Sequence, residues 1–452
     1  MQNVRQKNES VIASSQAPQT YDIAETAWIL ERARAVGFDL CGVVRAEKFP
    51  ELSRTEEWLA RGYAGEMKYL NDPRRADPTR AMEGVRSVIV CALNYNTALP
   101  RSIDALEASA LAAEKNDAGD ERGWISRYAW GDDYHEVLQG KLRALSFALG
   151  ERFKEPFEAR IYSDTGPVNE RVLAKHAGLG WIGKNTLLLN AKLGSWLFLG
   201  VILTTLDLEP TVGAADGPAR DLCGSCTKCI EACPTEALIE PYVMDSRRCI
   251  AYLTIEYRGS IPEELREPMG RHVFGCDICQ DVCPWNRRAP TTGLGEFQPR
   301  RILVGRDRGS GNGHEVAGTT ESDLDERNEG GALRASGQAR PCPTDKREAT
   351  EEESLLLPRL EWLASLTEEL FRAYFWGSPI KRTKWRGLLR NTCIALGNGA
   401  AQESEGRAGG GAGVDSHAAG RKESARKVLR RLAKSEDSLI AESAHWALSR
   451  IE

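Results

Sequence analysis

The sequence predicts an α+β multidomain protein with an α/β domain, a cysteine-rich domain and a C-terminal α-helical domain. Three observations predict this fold class. Helical patterns alternate with short apolar strand patterns in the first half of the chain, eight of the twelve cysteines cluster in the middle, and only helical patterns follow. Because the 452 residues exceed a typical single domain about threefold, several cores are expected.

The first folded domain is predicted over 21–215, after a disordered N-terminal extension at 1–20. Apolar residues recur every three or four positions in three segments, which is typical of helices with one buried face. These helices are predicted at Asp22–Val36, Tyr134–Leu149 and Glu170–Ala177. The apolar runs Ser87–Ala92 and Trp196–Thr205 predict buried strands, so we expect a sheet covered by helices.

The second domain, predicted over 216–297, is identified by its cysteine spacing. Cysteines at 223, 226, 229 and 233, the last before Pro234, form the complete bacterial ferredoxin pattern; those at 276, 279 and 283 repeat most of it, and Cys249 precedes them. In this pattern the cysteine before proline binds the other cluster. A ferredoxin-like domain with two [4Fe-4S] clusters is therefore predicted. Its ligand sets are Cys223, Cys226, Cys229 and Cys283 for one cluster, and Cys249, Cys276, Cys279 and Cys233 for the other.

A zinc ribbon is the alternative for these cysteines, since zinc ribbons also use CxxC pairs. The paired CxxCxxC and CxxxCP spacings are not typical of zinc sites, and they favour iron–sulfur clusters.

The third domain, predicted over 355–452, follows a disordered insertion at 298–354. No Phe, Trp or Tyr occurs from 298 to 361, and the segment is rich in Gly, Ser, Glu and Asp, so little apolar surface is available to offset the entropy of ordering. Beyond it, HEAT-like helical repeats are predicted, with a flexible loop near 401–420. The helices are predicted at Leu360–Phe375, Ile380–Leu396, Arg421–Ala433 and Asp437–Arg450.

Charge is unevenly distributed along the chain. The 60 Lys and Arg against 65 Asp and Glu give a net charge of −5, whereas residues 359–452 contain 16 basic and 11 acidic residues and are therefore +5. Such a basic region is suited to nucleic-acid phosphates, although a solvated helix face is the alternative. The candidate phosphate contacts are Lys381, Arg382, Lys384, Arg386 and Arg390, with a second basic group from Arg421 to Arg431.

The sequence also indicates the compartment. The longest apolar run, Trp196–Leu203, is far shorter than the ~20 residues that span a bilayer. The polar N-terminus lacks a secretory signal and a twin arginine. We therefore expect a cytoplasmic protein without a membrane partner, in which cysteines bind metal rather than form disulfides.

Several short motifs fall short of known sites. Gly178, Gly180 and Gly183 fit GxGxxG, but a helix rather than a strand is predicted before them, which argues against a nucleotide site. Asp164-Thr-Gly lacks the second copy that an aspartic protease needs. The segment that begins Asp133-Tyr-His135 has Leu138 where the D-x-H-x-x-G cobalamin motif has glycine.

The sequence resembles the epoxyqueuosine reductase family through motifs in all three domains. These are RYAWGDDYH at 127–135, DTGPVNER at 164–171, AGLGWIGKN at 177–185, CIAYLTIE at 249–256, GCDICQDVCPWN at 275–286 and GSPIKR at 377–382. The resemblance implies reduction of epoxyqueuosine to queuosine at the wobble position of tRNA, the last step of queuosine biosynthesis. It implies an oxidoreductase with a cobalamin-binding first domain, two [4Fe-4S] clusters and Asp164 as the catalytic acid. We expect burial against apolar surface or a corrin face to keep this carboxyl protonated near neutral pH.

The resemblance also implies the remaining partners and contacts. The cobalamin is expected base-off, without a protein histidine on cobalt, and the tRNA is expected to carry a GUN anticodon. The electron donor is expected to be a low-potential protein of flavodoxin or ferredoxin type, and the enzyme is expected to be a monomer. The cobalamin contacts implied are Arg75, Tyr134, His135, Gly180, Gly183, Lys184, Ala251 and Asp277. The tRNA contacts implied are Lys381, Arg382, Lys384 and Arg386. Ala251 stands where the family usually has serine.

Two other functional classes fit part of the sequence. One is another cobalamin-dependent reductase, such as a reductive dehalogenase-like enzyme acting on a small molecule; the basic C-terminal helices disfavour it. The other is a ferredoxin-type electron carrier without a substrate of its own, which would have no need for the first domain.

Overall fold

The computed structural model describes residues 20–105, 121–212, 217–304, 351–405 and 416–451, without the side chains of 351, 400–419 and 421. The predicted N-terminal extension, the centre of the predicted insertion and half of the predicted 401–420 loop lie outside these ranges.

A four-stranded antiparallel sheet forms the centre of the first domain. Its strands lie in the order Leu40–Arg45, Ser87–Asn94, Leu197–Thr204 and Ala159–Tyr162. The second strand in this order is buried along its whole length, because helices cover both faces of the sheet. The two predicted strands are thus confirmed within two residues. The predicted α/β class of this domain is wrong, because the sheet is antiparallel and the domain is therefore α+β.

Four helices surround this sheet: α1 (Ile23–Val36), α2 (Pro50–Ala60), α3 (Tyr134–Arg152) and α4 (Glu170–His176). Helices α1 and α3 pack on one face, and α2 and α4 on the other. Asp133 caps α3 by accepting the amide hydrogen of His135, and Asn169 caps α4 by accepting that of Val172. These two caps fix the starts of α3 and α4, which lie beside Asp164.

Short elements connect the larger ones. Parallel pairs join Thr20–Tyr21 to Asp207–Leu208 and Trp124–Ile125 to His272–Phe274. Antiparallel pairs join Trp181–Ile182 to Leu188–Leu189 and Leu238–Glu240 to Val243–Met244. Helical 3₁₀ turns span Lys68–Asn71, Pro73–Ala76, Pro78–Arg80, Arg127–Ala129, Ser246–Arg248, Pro284–Asn286, Gly295–Phe297 and Pro379–Thr383.

The predicted boundaries of the disordered insertion are wrong. Arg301–Val304 pairs with Glu351–Ser354 as an antiparallel hairpin stem, and the stem buries Ile302 and Val304 in the core of the C-terminal domain. The overall polar composition of the segment concealed these apolar residues. Residues 305–350 lie outside the described part of the chain.

The remaining helices belong to the second and third domains. They are α5 (Lys228–Glu231), α6 (Ile250–Ile255), α7 (Glu263–Arg266), α8 (Ile278–Asp281), α9 (Leu360–Ser365), α10 (Glu368–Tyr374), α11 (Lys384–Glu405), α12 (Ser416–Leu432) and α13 (Ser438–Ile451). The predicted helix at 360–375 is two helices, because Thr367 caps a new start at α10. Helices α11, α12 and α13 pack together, and the HEAT-like classification stays a prediction.

The C-terminal helices share a core with the first two domains. Trp124 and Trp130 from the first domain and Phe274 from the second are completely buried in the same hydrophobic cluster as Leu388 of α11. In the described part of the chain, no helix combines the length and the apolar character needed to cross a membrane.

Candidate active site and cysteine clusters

An open cavity of about 970 Å³ lies between the first domain and the cysteine-rich domain. Helix α2, the start of α4 and the hairpin around Tyr242 form its sides. The volume is at the upper end of the range of small-molecule sites in proteins, so a large ligand fits.

Asp164 projects into this cavity from the loop after the strand Ala159–Tyr162. Its side chain is 69% exposed, so a ligand in the cavity can reach the carboxylate. The loop is strained at this point, since Asp164 has a left-handed φ of 59°. Two contacts hold it there: the Asp164 N–H donates to Glu170 Oε1 at 2.7 Å, and the Tyr134 hydroxyl donates to Asp164 Oδ2 at 2.8 Å.

Protein groups alone do not keep Asp164 protonated in this arrangement, and its protonation beside a corrin face stays a prediction. Desolvation raises the pKa of the carboxyl, but the nearby imidazolium of His135, the hydrogen bond from Tyr134 and the charge of Arg171 outweigh it, so the pKa of Asp164 is lowered. At neutral pH the carboxylate therefore requires a neighbouring proton source before it can act as an acid.

His135 is such a neighbour. Its Nδ1 lies 2.7 Å from Asp133 Oδ1, and its Nε2 lies 3.8 Å from Asp164 Oδ2. Burial alone would lower the pKa of this imidazole, but the two carboxylates raise it to about 9. His135 is thus protonated on both nitrogens at neutral pH, and it has no lone pair to offer a metal.

Glu170 is a functional candidate that the sequence analysis did not assign. Desolvation and the negative charge of Asp164 raise its pKa to about 8, although the bond from the Asp164 amide acts in the opposite direction. Glu170 lies in the DTGPVNER motif, six residues after Asp164. This spacing does not indicate that Glu170 holds the loop of Asp164.

Stacked aromatic rings form the wall beside Asp164. The rings of Tyr134 and Phe198 are parallel within 2° at a centroid distance of 4.4 Å, and Tyr95 stacks on the other side of Phe198 at 4.2 Å. Arg75 also lines the cavity, and its Nε is buried without a hydrogen-bond partner among the described residues. An aromatic wall and a spare buried donor suit a large, partly apolar ligand with polar substituents.

The cysteines gather into the two predicted groups. The negative charge of a thiolate at Cys283, Cys223 or Cys226 raises the pKa of Cys229, whereas Cys249 and Cys233 contribute to that of Cys279. Cys276 belongs to the second group, because thiolates at Cys279 and Cys249 contribute to its raised pKa. A thiolate at Cys229 contributes to the raised pKa of Cys279 and so links the two groups. Desolvation is the largest cause of the raised pKa of Cys229 and Cys279.

No three His, Cys, Asp or Glu side chains within the described ranges converge on the position of a single metal ion. A [4Fe-4S] cluster does not need such convergence, because each of the four cysteines that bind it contacts a different iron atom.

Most of the other predicted cofactor contacts lie away from the cavity. Lys184 donates to the carbonyls of Gly224 and Cys226, at 2.7 and 3.0 Å, and so holds the first cysteine loop. Gly180 and Gly183 pack closely against Leu189, where a Cβ would clash. Their small size permits the tight hairpin Trp181–Leu189, and Trp181 and Ile182 between them line the cavity.

Ala251 and Asp277 stand beside cysteines rather than in the cavity. Ala251 lies in the first turn of α6, next to Cys249. Asp277 is buried and accepts hydrogen bonds from Trp124 Nε1 and the Arg127 amide, and it thereby anchors the second cysteine loop to the first domain.

Three of the four predicted tRNA contacts are exposed but ion-paired. Lys381 Nζ lies 2.8 Å from Asp133 Oδ2. Arg382 donates to both oxygens of Glu256 at 3.0 Å, and Arg386 pairs with Asp437. Lys384 is exposed and forms no ion pair with the described residues. Arg390, by contrast, is completely buried and donates to the carbonyls of Leu253, Tyr257 and Gly259, so its place in the basic surface was predicted wrongly.

Comparisons with known proteins agree with this architecture. Residues 75–165 match the family model described as epoxyqueuosine reductase QueG, DUF1730, and residues 222–286 match a 4Fe-4S double cluster binding domain. An epoxyqueuosine reductase from Gloeobacter violaceus is 46% identical over 281 residues, which cover 61% of this chain and 81% of that protein. One from Pseudomonas aeruginosa is 41% identical over 314 residues, which cover 69% and 81%.

Solved structures share the fold. An epoxyqueuosine reductase from Streptococcus thermophilus superposes with a TM-score of 0.66 at 26% identity, covering 94% of this chain and 90% of that one. Another, crystallised with an epoxyqueuosine-modified tRNA-Tyr stem loop, superposes with a TM-score of 0.69 at 24% identity, covering 95% and 90%. Because the sequence relatives exceed 40% identity over most of their length, the chain belongs to the epoxyqueuosine reductase family of oxidoreductases.

Proposed function

We propose that this protein reduces epoxyqueuosine to queuosine at the wobble position of tRNA, as the last step of queuosine biosynthesis. The observation that carries the proposal is Asp164, an accessible carboxylate in a large cavity that borders the cysteine-rich domain. Loss of the epoxide oxygen as water takes two electrons and two protons, and this site places a proton-transfer group beside an electron-transfer domain. The family matches do not favour a small-molecule reductase.

We propose that cobalamin occupies the cavity in base-off form. The stacked wall of Tyr95, Phe198 and Tyr134 would support the face or edge of the corrin, and Arg75 would donate to one of its polar side chains. When bound, cobalamin supplies a low-valent cobalt that can transfer electrons to the substrate carbon. The doubly protonated His135 supports the absence of a histidine ligand to cobalt.

The two cysteine groups are proposed to bind one [4Fe-4S] cluster each. Cys223, Cys226, Cys229 and Cys283 would hold the first, and Cys249, Cys276, Cys279 and Cys233 the second. Helices α5 and α8, which carry Cys229 and Cys279, pack against each other, and this packing supports electron transfer from one cluster to the other. A low-potential protein of flavodoxin or ferredoxin type is the proposed source of the electrons, which the clusters pass on singly.

The tRNA is proposed to approach over Lys381, Arg382, Lys384 and Arg386, with its anticodon, of the GUN type, at the cavity. These side chains remain between 52 and 58% exposed where they form ion pairs, so phosphates can compete for them. Because tRNA is the proposed substrate, we place the reaction in the cytoplasm, with the enzyme as a monomer.

An anaerobic single-turnover assay tests the proposed function. The full chain is reconstituted with cobalamin and clusters, reduced chemically and mixed with epoxyqueuosine-containing tRNA, and nucleosides are identified by mass spectrometry. Wild type is expected to form queuosine, whereas Asp164→Asn is expected to lose activity by a factor of about 10²–10⁴ with both cofactors retained. No conversion by the fully loaded wild type contradicts the proposed substrate.

A further inference from the structure

The proposed reaction needs two protons, but Asp164 can hold only one at a time. Opening the epoxide breaks one C–O bond and leaves an oxygen that takes the first proton. Breaking the second C–O bond forms the alkene and releases this oxygen as water, which takes the second proton. The two electrons come from the low-potential donor. A further group must therefore donate a proton to Asp164.

A candidate proton donor, His135, lies next to Asp164 Oδ2 and is held in place. His135 Nε2 lies 3.8 Å away, and a movement of less than about 1 Å, or one bridging water, brings the two atoms into hydrogen-bond contact. The opposite ring nitrogen is fixed, because Nδ1 lies 2.7 Å from the buried carboxylate of Asp133. Lys381 Nζ in turn contacts Asp133 at 2.8 Å. The imidazole therefore keeps its Nε2–H directed at Asp164.

We propose that His135 supplies both protons in turn, transferring each from Nε2 to the carboxylate of Asp164 at Oδ2. Asp164 passes the first proton to the epoxide oxygen as the first C–O bond breaks and the second to the same oxygen as the second C–O bond breaks. The neutral His135 recovers its proton from solvent, to which its side chain is 26% exposed. This inference rests on the proposed function, and His135 acts through Asp164 rather than on the substrate.

The charges around His135 agree with this role. Asp133 and Asp164 stabilise the imidazolium and raise its pKa to about 9, so the proton is present at neutral pH. Lys381 adds a positive charge to the same group of residues through Asp133, whereas Glu170, with a pKa of about 8, is largely uncharged at neutral pH. Tyr134 also donates to Asp164 Oδ2, but burial and the Asp164 charge raise its pKa well above 10, so it keeps its own proton.

The competing source is Glu170. Its pKa of about 8 leaves it largely protonated at neutral pH, and its Oε1 contacts the same loop. Glu170 accepts the Asp164 amide hydrogen, however, and among the hydrogen bonds of the described residues none joins its carboxyl group to that of Asp164. His135 is therefore the better placed donor, and the two residues can be separated by substitution.

The test compares single-turnover rates of reconstituted wild type, His135→Gln, His135→Ala and Glu170→Gln from pH 6 to 10. Wild type is expected to slow as pH rises through about 9, where His135 loses its proton. His135→Gln keeps a hydrogen-bonding amide but cannot titrate, so it should be about 10–100-fold slower and lose this alkaline limb. Added imidazole should restore His135→Ala several-fold but leave Asp164→Ala inactive.

Other outcomes overturn the inference. An alkaline limb that persists in His135→Gln, or one that disappears in Glu170→Gln instead, assigns the proton to another group. Failure of imidazole to rescue His135→Ala, with cofactors retained, means that the side chain acts only in packing. If wild type itself does not convert the tRNA, the proposed function has failed rather than the role of His135.

A second readout is independent of turnover. Histidine-selective NMR of the full chain, with His135→Gln used for assignment, should give a pKa near 9 for His135 and a lower pKa in Asp164→Asn. An unchanged value in Asp164→Asn means that the two side chains do not interact, which excludes proton transfer between them.

Discussion

Lys381 Nζ lies 2.8 Å from Oδ2 of Asp133, the residue that caps α3 and holds His135. The two residues are far apart in sequence, and the contact joins the C-terminal basic segment to the carboxylates around the cavity. If Lys381 binds a tRNA phosphate, the electrostatic potential at His135 changes as well. The contact therefore couples the proposed binding surface to the proposed acid.

This coupling predicts different effects for two neighbouring lysines. Lys384→Ala removes an exposed side chain without an ion pair among the described residues, so it should weaken tRNA binding and leave the turnover rate of the bound complex unchanged. Lys381→Ala should weaken binding and also slow turnover several-fold, because Asp133 loses its partner. Binding titrations at several salt concentrations, combined with single-turnover rates at saturating tRNA, distinguish the two. Identical behaviour of the two variants contradicts the coupling.

Replacing Lys381, Arg382 and Lys384 together by alanine should reduce tRNA affinity strongly at low salt and flatten its salt dependence. Cobalamin and iron contents should stay at wild-type values, since none of the three residues lines the cavity or the cysteine groups. Filter binding with an anticodon stem loop measures the affinity. Unchanged binding at low salt excludes this surface as the tRNA site.

Glu170 is predicted to hold the Asp164 loop in place. Glu170→Gln keeps an oxygen that can accept the Asp164 amide hydrogen, whereas Glu170→Ala removes it and leaves the left-handed Asp164 without its support. We expect the alanine variant to lose at least tenfold in single-turnover rate and the glutamine variant to lose much less near neutral pH. Equal losses would mean that the charge of Glu170, not the hydrogen bond, is important.

Local patterns predicted the elements but not the contacts between distant ones. Strands such as Ser87–Asn94 were found because both faces are buried and the run is continuously apolar. Cysteine spacing predicted both groups, since a ferredoxin loop fixes its ligands locally. Nothing local showed that Arg390 is buried, or that Lys381 meets Asp133, because those contacts depend on how the third domain packs on the first.

The crossing of the cysteine ligands can be tested by iron content. Cys283→Ser and Cys233→Ser should each lose one cluster, so that iron falls from about eight to about four atoms per chain. The former should spare the cluster of Cys249, Cys276 and Cys279, and the latter that of Cys223, Cys226 and Cys229, which electron paramagnetic resonance of the reduced proteins separates. Cys41→Ser, outside both groups, is the control. Full iron content in either variant disproves the ligand assignment.

The contact between α2 and α4 predicts an acid-sensitive contribution to stability. Hydrogen bonds from Lys175 at 2.7 Å and His176 at 3.0 Å outweigh desolvation and lower the pKa of Glu51 to about 2. Because the folded pKa lies below the unfolded one, the contribution is present above about pH 4.3 and is lost as pH falls toward 2. Chemical denaturation of Glu51→Gln should show a deficit at pH 7 that narrows below pH 4. A deficit independent of pH would point to packing alone.

The state of His135 also predicts the coordination of cobalt. An imidazolium held by Asp133 on one side and facing Asp164 on the other cannot donate a lone pair, so bound Co(II) cobalamin should give an electron paramagnetic resonance spectrum without nitrogen superhyperfine splitting. His135→Ala should give the same spectrum as wild type. Raising the pH above about 9 deprotonates the imidazole of His135. Asp133→Asn removes one of the two carboxylates that stabilise its charged form. Splitting that appears only under those conditions would show that the two carboxylates keep the histidine from the metal, whereas splitting in wild type at pH 7 refutes the base-off assignment.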